Sequence, residues 1–215
     1  MDLRTPLRAL LRTSALLPMT LAAPTTAQLP SALFGASEHA DFGSVVERIG
    51  DVNSDGVRDF AVGAPLSDEI ILLGTLEIPV DNAGAVTVYS GVDGTLLWKV
   101  TGSISGNTGF GSAIADAGDV DFDGRDDVLV GIPEANGLSV GSGKVELRSG
   151  FDGFWIRTFF GSQTDERYGE SLAVGHLDGD PSSLEAAIGA PHHDMDDSTG
   201  GPLQEGRVEL SLIHI

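Results

Sequence analysis

The feature that most constrains this chain is that it repeats itself. DFGSVVERIGDVNSDGVRDFAVGAP (41–65) aligns without a gap to GFGSAIADAGDVDFDGRDDVLVGIP (109–133). Phe42-Gly43-Ser44 falls on Phe110-Gly111-Ser112, Gly50-Asp51-Val52 on Gly118-Asp119-Val120, and Gly63-Ala64-Pro65 on Gly131-Ile132-Pro133. A weaker third copy, RYGESLAVGHLDGDPSSLEAAIGAP (167–191), keeps the ends: Tyr168-Gly169 and Gly189-Ala190-Pro191. A second motif follows each copy. GAVTVYSGVDGTLLWKVTG (84–102) parallels GKVELRSGFDGFWIRTFFG (143–161), and GRVELSL (206–212) begins it again. A unit repeated at such a period is one supersecondary element whose neighbours complete its core.

Each unit reads as four short strands. The first, about Ser44 to Ile49, leads into an acidic loop. The second, about Phe60 to Val62, ends at Gly-Ala-Pro, where proline cannot continue a ladder. The third is Ala85 to Tyr89, and an Asp-Gly turn at Val92-Asp93-Gly94, of the kind that closes hairpins, leads to a fourth at Leu96 to Val100. Twenty-nine glycines and 6% aromatic residues favour such short strands and tight turns. No segment carries a 3.6-residue apolar period, which excludes helical repeat arrays. A four-stranded antiparallel unit repeated in tandem is a β-propeller blade. The fold class is therefore all-β, with about three blades at residues 36–102, 103–161 and 162–215, and the ring reads as incomplete. SALFG (31–35) is similar to the fourth-strand ending TFFG (158–161) and reads as a strand that could help close it.

The order Phe-Gly, Asp-x-Asx-x-Asp-Gly-x-x-Asp, Gly-Ala-Pro resembles the FG-GAP repeat of integrin α-subunit propellers and related bacterial secreted proteins. The resemblance covers roughly residues 30 to 212. It implies cation loops between the first and second strands of certain blades, and a role in adhesion or protein–protein interaction.

The residues lead to the same loops independently. Calcium takes six to eight oxygen ligands. A nine-residue loop with oxygens at positions 1, 3, 5, 7 and 9, and glycine at 6 for the turn, can curl around one ion. In the first copy these are Asp51, Asn53, Asp55, the Val57 carbonyl and Asp59; in the second they are Asp119, Asp121, Asp123, the Arg125 carbonyl and Asp127. Position 12 is Val62 or Val130, inside an apolar strand, which excludes the EF-hand and its position-12 glutamate. A solvated Asp/Gly turn without an ion is the plain alternative for one loop, and the second copy at the equivalent position argues against it. The third loop, GHLDGDPSSLE, has His176 at position 1 and Pro181 in place of the turn glycine. Asp178, Asp180 and Glu185 are the acids that a changed register could gather, and this loop is expected to be empty.

The formal charge is −20, from 32 acidic and 12 basic residues. Such a surface repels phosphate backbones and anionic membranes and suits divalent cations. Without cysteine, disulfides, thiolate metal sites and cysteine nucleophiles are excluded. Arg4, Arg8 and Arg12 followed by the apolar stretch 14–23 read as an export signal over residues 1–27, so the chain is expected to be secreted, extracellular or periplasmic. No other stretch could cross a membrane as a helix.

No nucleophile elbow, HExxH motif or P-loop appears, and the chain is expected not to be an enzyme. His192-His193-Asp194-Met195-Asp196-Asp197 is expected to be a solvated polar loop. Trp98 and Trp155 are expected to pack between blades. In an antiparallel meander the acidic loops and Asp-Gly turns share one face. The connections 66–83, 134–143 and 192–206 share the other, together with the linkers 102–109 and 161–167. A protein or glycan ligand is expected on that second face, since recognition concentrates on loops over a rigid scaffold. The expected function is a calcium-binding propeller scaffold for adhesion or protein interaction. The alternative is the non-catalytic propeller of a larger secreted enzyme or carbohydrate-binding protein, and assembly with further blades or other chains fits both.

Overall fold

The computed structural model describes residues 30, 32–35, 38–177, 179–180, 183–196 and 202–212. The proposed leader lies outside them, and no helix of the described residues is long and apolar enough to cross a membrane.

Three antiparallel sheets follow one another along the chain. The first contains β1 (Val45–Arg48), β2 (Phe60–Ala64), β5 (Ala85–Tyr89) and β6 (Leu96–Thr101), in the spatial order β1-β2-β5-β6. The second repeats that order with β7 (Ala113–Gly118), β8 (Asp127–Ile132), β9 (Lys144–Arg148) and β10 (Trp155–Phe160). The third has three strands, β11 (Ser171–Gly175), β12 (Glu185–Ala190) and β15 (Arg207–Leu212). The first strands β1, β7 and β11 pack one against the next, so the blades radiate from their inner edges. The sheet series is not closed.

Two of the connections contain hairpins that the sequence reading takes as plain loops. β3 (Glu69–Leu73) pairs with β4 (Leu76–Val80) across Gly74-Thr75, and β13 (Asp194–Asp196) pairs with β14 (Pro202–Gln204). Gly74 has φ 65°, the first-position glycine that a two-residue primed turn requires. EIILL and LEIPV supply the flanking β-branched and leucine residues, a legible signal once the turn is recognised. Residues 32–35, by contrast, form no strand. The Asp-Gly turns also differ from expectation. In each pair only the glycine takes positive φ, Gly94 at 72° and Gly153 at 74°, and the loops run from Ser90 to Thr95 and from Ser149 to Phe154, closed by Ser90 N donating to Thr95 O and Ser149 N to Phe154 O, both at 2.9 Å.

A single blade buries little by itself, and the core lies between blades. Val86, Val88 and Trp98 of the first pack with Phe110, Ile114 and Val130 of the second. Leu129, Val145 and Leu147 of the second pack with Tyr168, Ala186 and Ile188 of the third. The two ends of the repeat motif interlock across that junction. Gly111 sits at φ 88°, and its amide donates to Gly131 O of its own blade at 3.1 Å. Its carbonyl lies against Gly63 of the preceding blade, where an added Cβ would come within 2.3 Å of the oxygen. Gly169 and Gly131 repeat this at the next junction, with 2.1 Å. The Phe-Gly corner of one blade is therefore held by the glycine of Gly-Ala-Pro in the blade before it.

Trp98 is buried, and its Nε1 donates to the Gly150 carbonyl of the next blade at 2.7 Å. Trp155 is not its counterpart. It pairs with Arg148 as Leu96 pairs with Tyr89, it is exposed, and its Nε1 donates to Thr158 Oγ1 within its own strand. Arg157 occupies the register position of Trp98. Trp98→Phe, which keeps the ring packing and removes the inter-blade bond, is expected to cost about 1 kcal/mol. Chemical denaturation should show this as a lower midpoint at unchanged slope.

Candidate metal centre

The loops 51–59 and 119–127 each connect the first strand of a blade to the second. Their backbones share a set of individual hydrogen bonds. Asp51 accepts from Asp55 N at 3.0 Å and Gly56 N at 2.7 Å; Asp119 accepts from Asp123 N at 3.0 Å and Gly124 N at 2.9 Å. Position 3 follows: Asn53 Oδ1 accepts from Asp55 N at 3.0 Å, Asp121 Oδ1 from Asp123 N at 3.1 Å. Position 5 accepts from position 7, Asp55 from Val57 N at 2.8 Å and Asp123 from Arg125 N at 2.9 Å. These side chain-to-backbone bonds replace a ladder and force tight curvature. The curvature also needs left-handed residues at position 4 (Ser54 φ 63°, Phe122 φ 61°) and at the glycine of position 6, φ 89° in both.

The last carboxylate closes the loop and ties it to the rest of the blade. Asp59 accepts from Val52 N at 2.9 Å and from Gly91 N at 2.9 Å; Asp127 accepts from Val120 N at 2.9 Å and Gly150 N at 3.0 Å. Both are fully buried. Gly91 and Gly150 begin the third-to-fourth-strand turns, so each acidic loop and each turn lie at the same end of the blade. At the opposite end, Asn107 N donates to Asn82 O at 2.7 Å and Leu138 N to Gly161 O at 3.0 Å, bringing linkers and long connections together.

In the second loop Asp119, Asp121 and Asp127 each offer an oxygen within 4.8 Å of the others, and this is the one such acid or histidine group among the described residues. In the first loop Asn53 stands where Asp121 does. Its Nδ2 donates to Asp55 Oδ2 at 2.8 Å, which leaves one fewer negative charge. Asp123 is outside the converging group. Val57 and Arg125 occupy the loop position assigned to their carbonyls.

Charge within the loops is left unbalanced. The one cation of each loop is directed elsewhere: Arg58 Nη1 donates to Asp116 Oδ2 of the next blade at 3.2 Å. Arg125 reaches back to the Val52 carbonyl of the first loop and lies 4.6 Å over the Phe151 ring. Burial pushes Asp127 up to about 6, although the Gly150 and Val120 amides pull the other way. Burial also raises Asp59. Burial pushes Asp51 upward too, but the Gly56 and Asp55 amides outweigh it and hold that carboxyl low. Converging hard oxygens with no internal counter-charge fit a divalent cation of the calcium type.

The third loop keeps the closure, and its described residues form no cage. Leu177 N donates to Glu185 Oε2 at 2.7 Å, the bond that Val52 and Val120 make to their aspartates. His176 Nδ1 meets the Ser183 carbonyl. Asp180 accepts from Ser183 N through its backbone oxygen at 3.3 Å, and Asp178 lies outside the described residues. No converging group of three includes Asp180 or Glu185 among the described residues.

The His192-His193 stretch differs from a solvated loop. His192 is exposed, but His193 Nδ1 lies 2.6 Å from Oε2 of fully buried Glu166, and Asp194 N donates to Gln163 Oε1 at 2.9 Å. Burial acts to raise Glu166, yet the Gln163 amide and His193 outweigh it and hold it low. Glu166 anchors the linker 161–167 to the connection 192–206. A lone glutamate between polar residues gives no sequence signal for that role.

Residues 48–89, which span the first acidic loop and strands β2 to β5, match the FG-GAP repeat family model. Mouse integrin alpha-2 is 33% identical over 101 residues, 43% of this chain and 8% of the integrin. Mouse integrin alpha-8 is 30% identical over 127 residues, 56% of this chain and 10% of the integrin. Integrin alpha-4 of Xenopus laevis is 35% identical over 92 residues, 41% of this chain and 8% of the integrin. The chain therefore spans about a tenth or less of the length of these relatives.

Proposed function

We propose that this FG-GAP, integrin-α-like chain is a secreted, non-catalytic propeller scaffold for adhesion or protein interaction, with calcium in two of its loops. The observation that carries the reading is the gathering of Asp119, Asp121 and Asp127 in a loop whose arginine is turned away. The same backbone bonds are repeated in the loop 51–59. In the first loop the ligands are Asp51, Asn53, Asp55, the Val57 carbonyl and Asp59. In the second they are Asp119, Asp121, Asp123, the Arg125 carbonyl and Asp127. Calcium supplies the missing positive charge and fixes the loop against the neighbouring turn; it carries no reaction. The third loop is closed by Glu185 and holds no ion.

The partner surface is the opposite end of the blades, where the hairpin β3–β4 projects. Ile70, Leu72, Leu73 and Leu76 are exposed there, beside Asp68, Glu77 and Asp81. An apolar tip rimmed by acids suits a protein partner with an apolar recess and a basic border. Replacing residues 66–83 by a short glycine linker is expected to abolish capture of extracellular partners in a binding assay. Calcium affinity measured by calorimetry should stay within a factor of two or so, because the loops lie at the other end. Unchanged capture would overturn the assignment of the face.

A glycan ligand is the second reading, favoured by one feature of the same end. A cavity of about 360 Å³ lies between the first two blades, lined by Asn107, Thr108, Asn136, Lys144, Glu146 and Arg148 among others. Its size lies within the range of small-molecule sites, about 300–1,000 Å³.

A further inference from the structure

The cavity between the first two blades has a wall of three charged residues at alternate positions of β9. Glu146 is 7% exposed and takes two cations. Lys144 Nζ donates to its Oε1 at 2.8 Å, and Arg148 Nε and Nη2 donate to its Oε2 at 3.1 and 2.5 Å. Arg148 Nη1 donates to the Gly153 carbonyl at 2.9 Å, and the guanidinium lies 5.2 Å over the Phe110 ring. The three side chains sum to one positive charge, largely buried in a chain whose net charge is −20. At the equivalent register positions the first blade has Ala85, Thr87 and Tyr89, so the blade itself does not require this wall.

The rest of the lining offers donors more than acceptors. Thr108 is 8% exposed, and its Oγ1 has no hydrogen-bond partner. A buried hydroxyl left in that way costs free energy until something pairs with it. Asn107 Oδ1 already accepts from Asn82 Nδ2 at 2.9 Å, and Asn136 Oδ1 from Gly141 N at 3.0 Å, which leaves their Nδ2 groups as donors. Lys144 commits one of its three ammonium protons to Glu146, and both Glu146 oxygens are occupied by cations. Glu134 is the exception, an exposed acid that pairs with Arg167 at 3.1 Å. Occupied acceptors, available donors and one surplus positive charge suit a ligand that carries a single carboxylate.

We propose that this cavity binds a uronic acid, the carboxylate-bearing sugar unit of an acidic glycan, with the carboxylate on Lys144 Nζ and Thr108 Oγ1. The proposal rests on the glycan reading of the cavity and narrows it to an anionic sugar. Volume favours a sugar over an acidic side chain of a protein. A side chain would enter a space of about 360 Å³ with its last few atoms only. A pyranose ring fills more of it and meets Ser103, Ser105 and the two carboxamides with its hydroxyls. The acids elsewhere on the chain oppose this little, because at physiological salt charges beyond ~8 Å are screened.

Titration of the full chain with glucuronate and with glucose, followed by ligand-observed NMR at physiological salt with calcium present, tests this. Glucuronate is expected to bind, and glucose about tenfold more weakly or less, the factor that loss of a charge-assisted hydrogen bond brings. Lys144→Met should remove that preference, and Thr108→Val should weaken glucuronate several-fold. Both variants should keep the wild-type circular dichroism, because Arg148 still pairs with Glu146 and valine has the shape of threonine without the unpaired hydroxyl; Thr108→Val serves alone if Lys144→Met does not fold. Equal binding of the two sugars would overturn the carboxylate and leave the glycan reading standing, whereas binding of neither would overturn both. N-acetylaspartate that competes as well as glucuronate would give the site to a protein side chain. Glucuronate binding that survives Lys144→Met undiminished would place the sugar on the loop cations. Either result overturns the proposal.

Discussion

Stripping calcium from this protein is expected to lower its melting temperature by roughly 6–20 °C. With dissociation constants near 10⁻⁴–10⁻³ M, typical of extracellular calcium modules, and about 10 mM free ion, each site adds about 1.4–2.7 kcal/mol by mass action. Two sites sum to about 3–5 kcal/mol, and a domain of this size gains about 2–4 °C per kcal/mol. Asp127→Asn should remove up to about half of the calcium-dependent shift, the share of the second loop, because it loses a charge from the three-carboxylate group. Asp55→Ala should remove the contribution of the first loop. Scanning calorimetry with calcium and with chelator measures both, and a wild-type curve that ignores calcium would overturn the sites.

The pH dependence of that shift has a definite sign. Asp127 is held at about 6 in the folded chain, above the ordinary aspartate value. The folded state therefore binds the proton more tightly than the unfolded one. In the metal-free protein this contribution is fully present below pH ~4 and is lost as pH rises through about 6. Calcium needs the ionised form, so it competes with that proton and binds more weakly below pH 6. The melting shift produced by calcium should therefore shrink steadily from pH 7 to pH 5, while the chelated protein gains stability over the same interval from this residue.

Gly131→Ala is expected to have a comparable effect by another route. The new methyl would lie 2.1 Å from the Gly169 carbonyl and 3.0 Å from Ala113 Cβ. The first of these is main chain of the neighbouring blade, which can yield only if the junction opens. Loss of the packing of Leu129, Val145 and Leu147 on Tyr168 and Ile188 follows, and a cost of about 3–5 kcal/mol is expected. The equivalent change in the third blade, Gly189→Ala, meets a Ser171 hydroxyl that can rotate away. It should cost under ~1 kcal/mol in the single chain, since the side chain rather than the backbone gives. Thermal melts of the two variants separate the cases, and equal melting temperatures would contradict the interlock.

These two glycines are identical in the sequence motif and differ only in what faces them. That is the division between what was legible in the residues and what was not. The repeat offset, the alternation of Val86 and Val88, and the prolines of Gly-Ala-Pro made the blades readable, because strand formation and turns depend on neighbours along the chain. The oxygens at alternate positions around Gly56 and Gly124 made the loops readable for the same reason. The hairpin β3–β4 carried a local signal at Gly74-Thr75 that the length of the connection hid.

Other features had no local cause. Trp98 and Trp155 lie in the same strand of the repeat but two residues apart, and only the folded blades show that one position is buried against Gly150 and the other in solvent. Glu166 reaches His193 only because the third blade folds its linker onto a connection 27 residues on, and Arg58 turns to Asp116 only because separate blades bring them within reach. By itself the sequence determined the blade, its strands and the ligand pattern of its loops, all set by contacts within a few tens of residues. Tertiary structure alone decided which faces are covered, where the loop cations point, and that burial lifts Asp127. Each of those depends on atoms brought close by the folded chain rather than by neighbours in sequence.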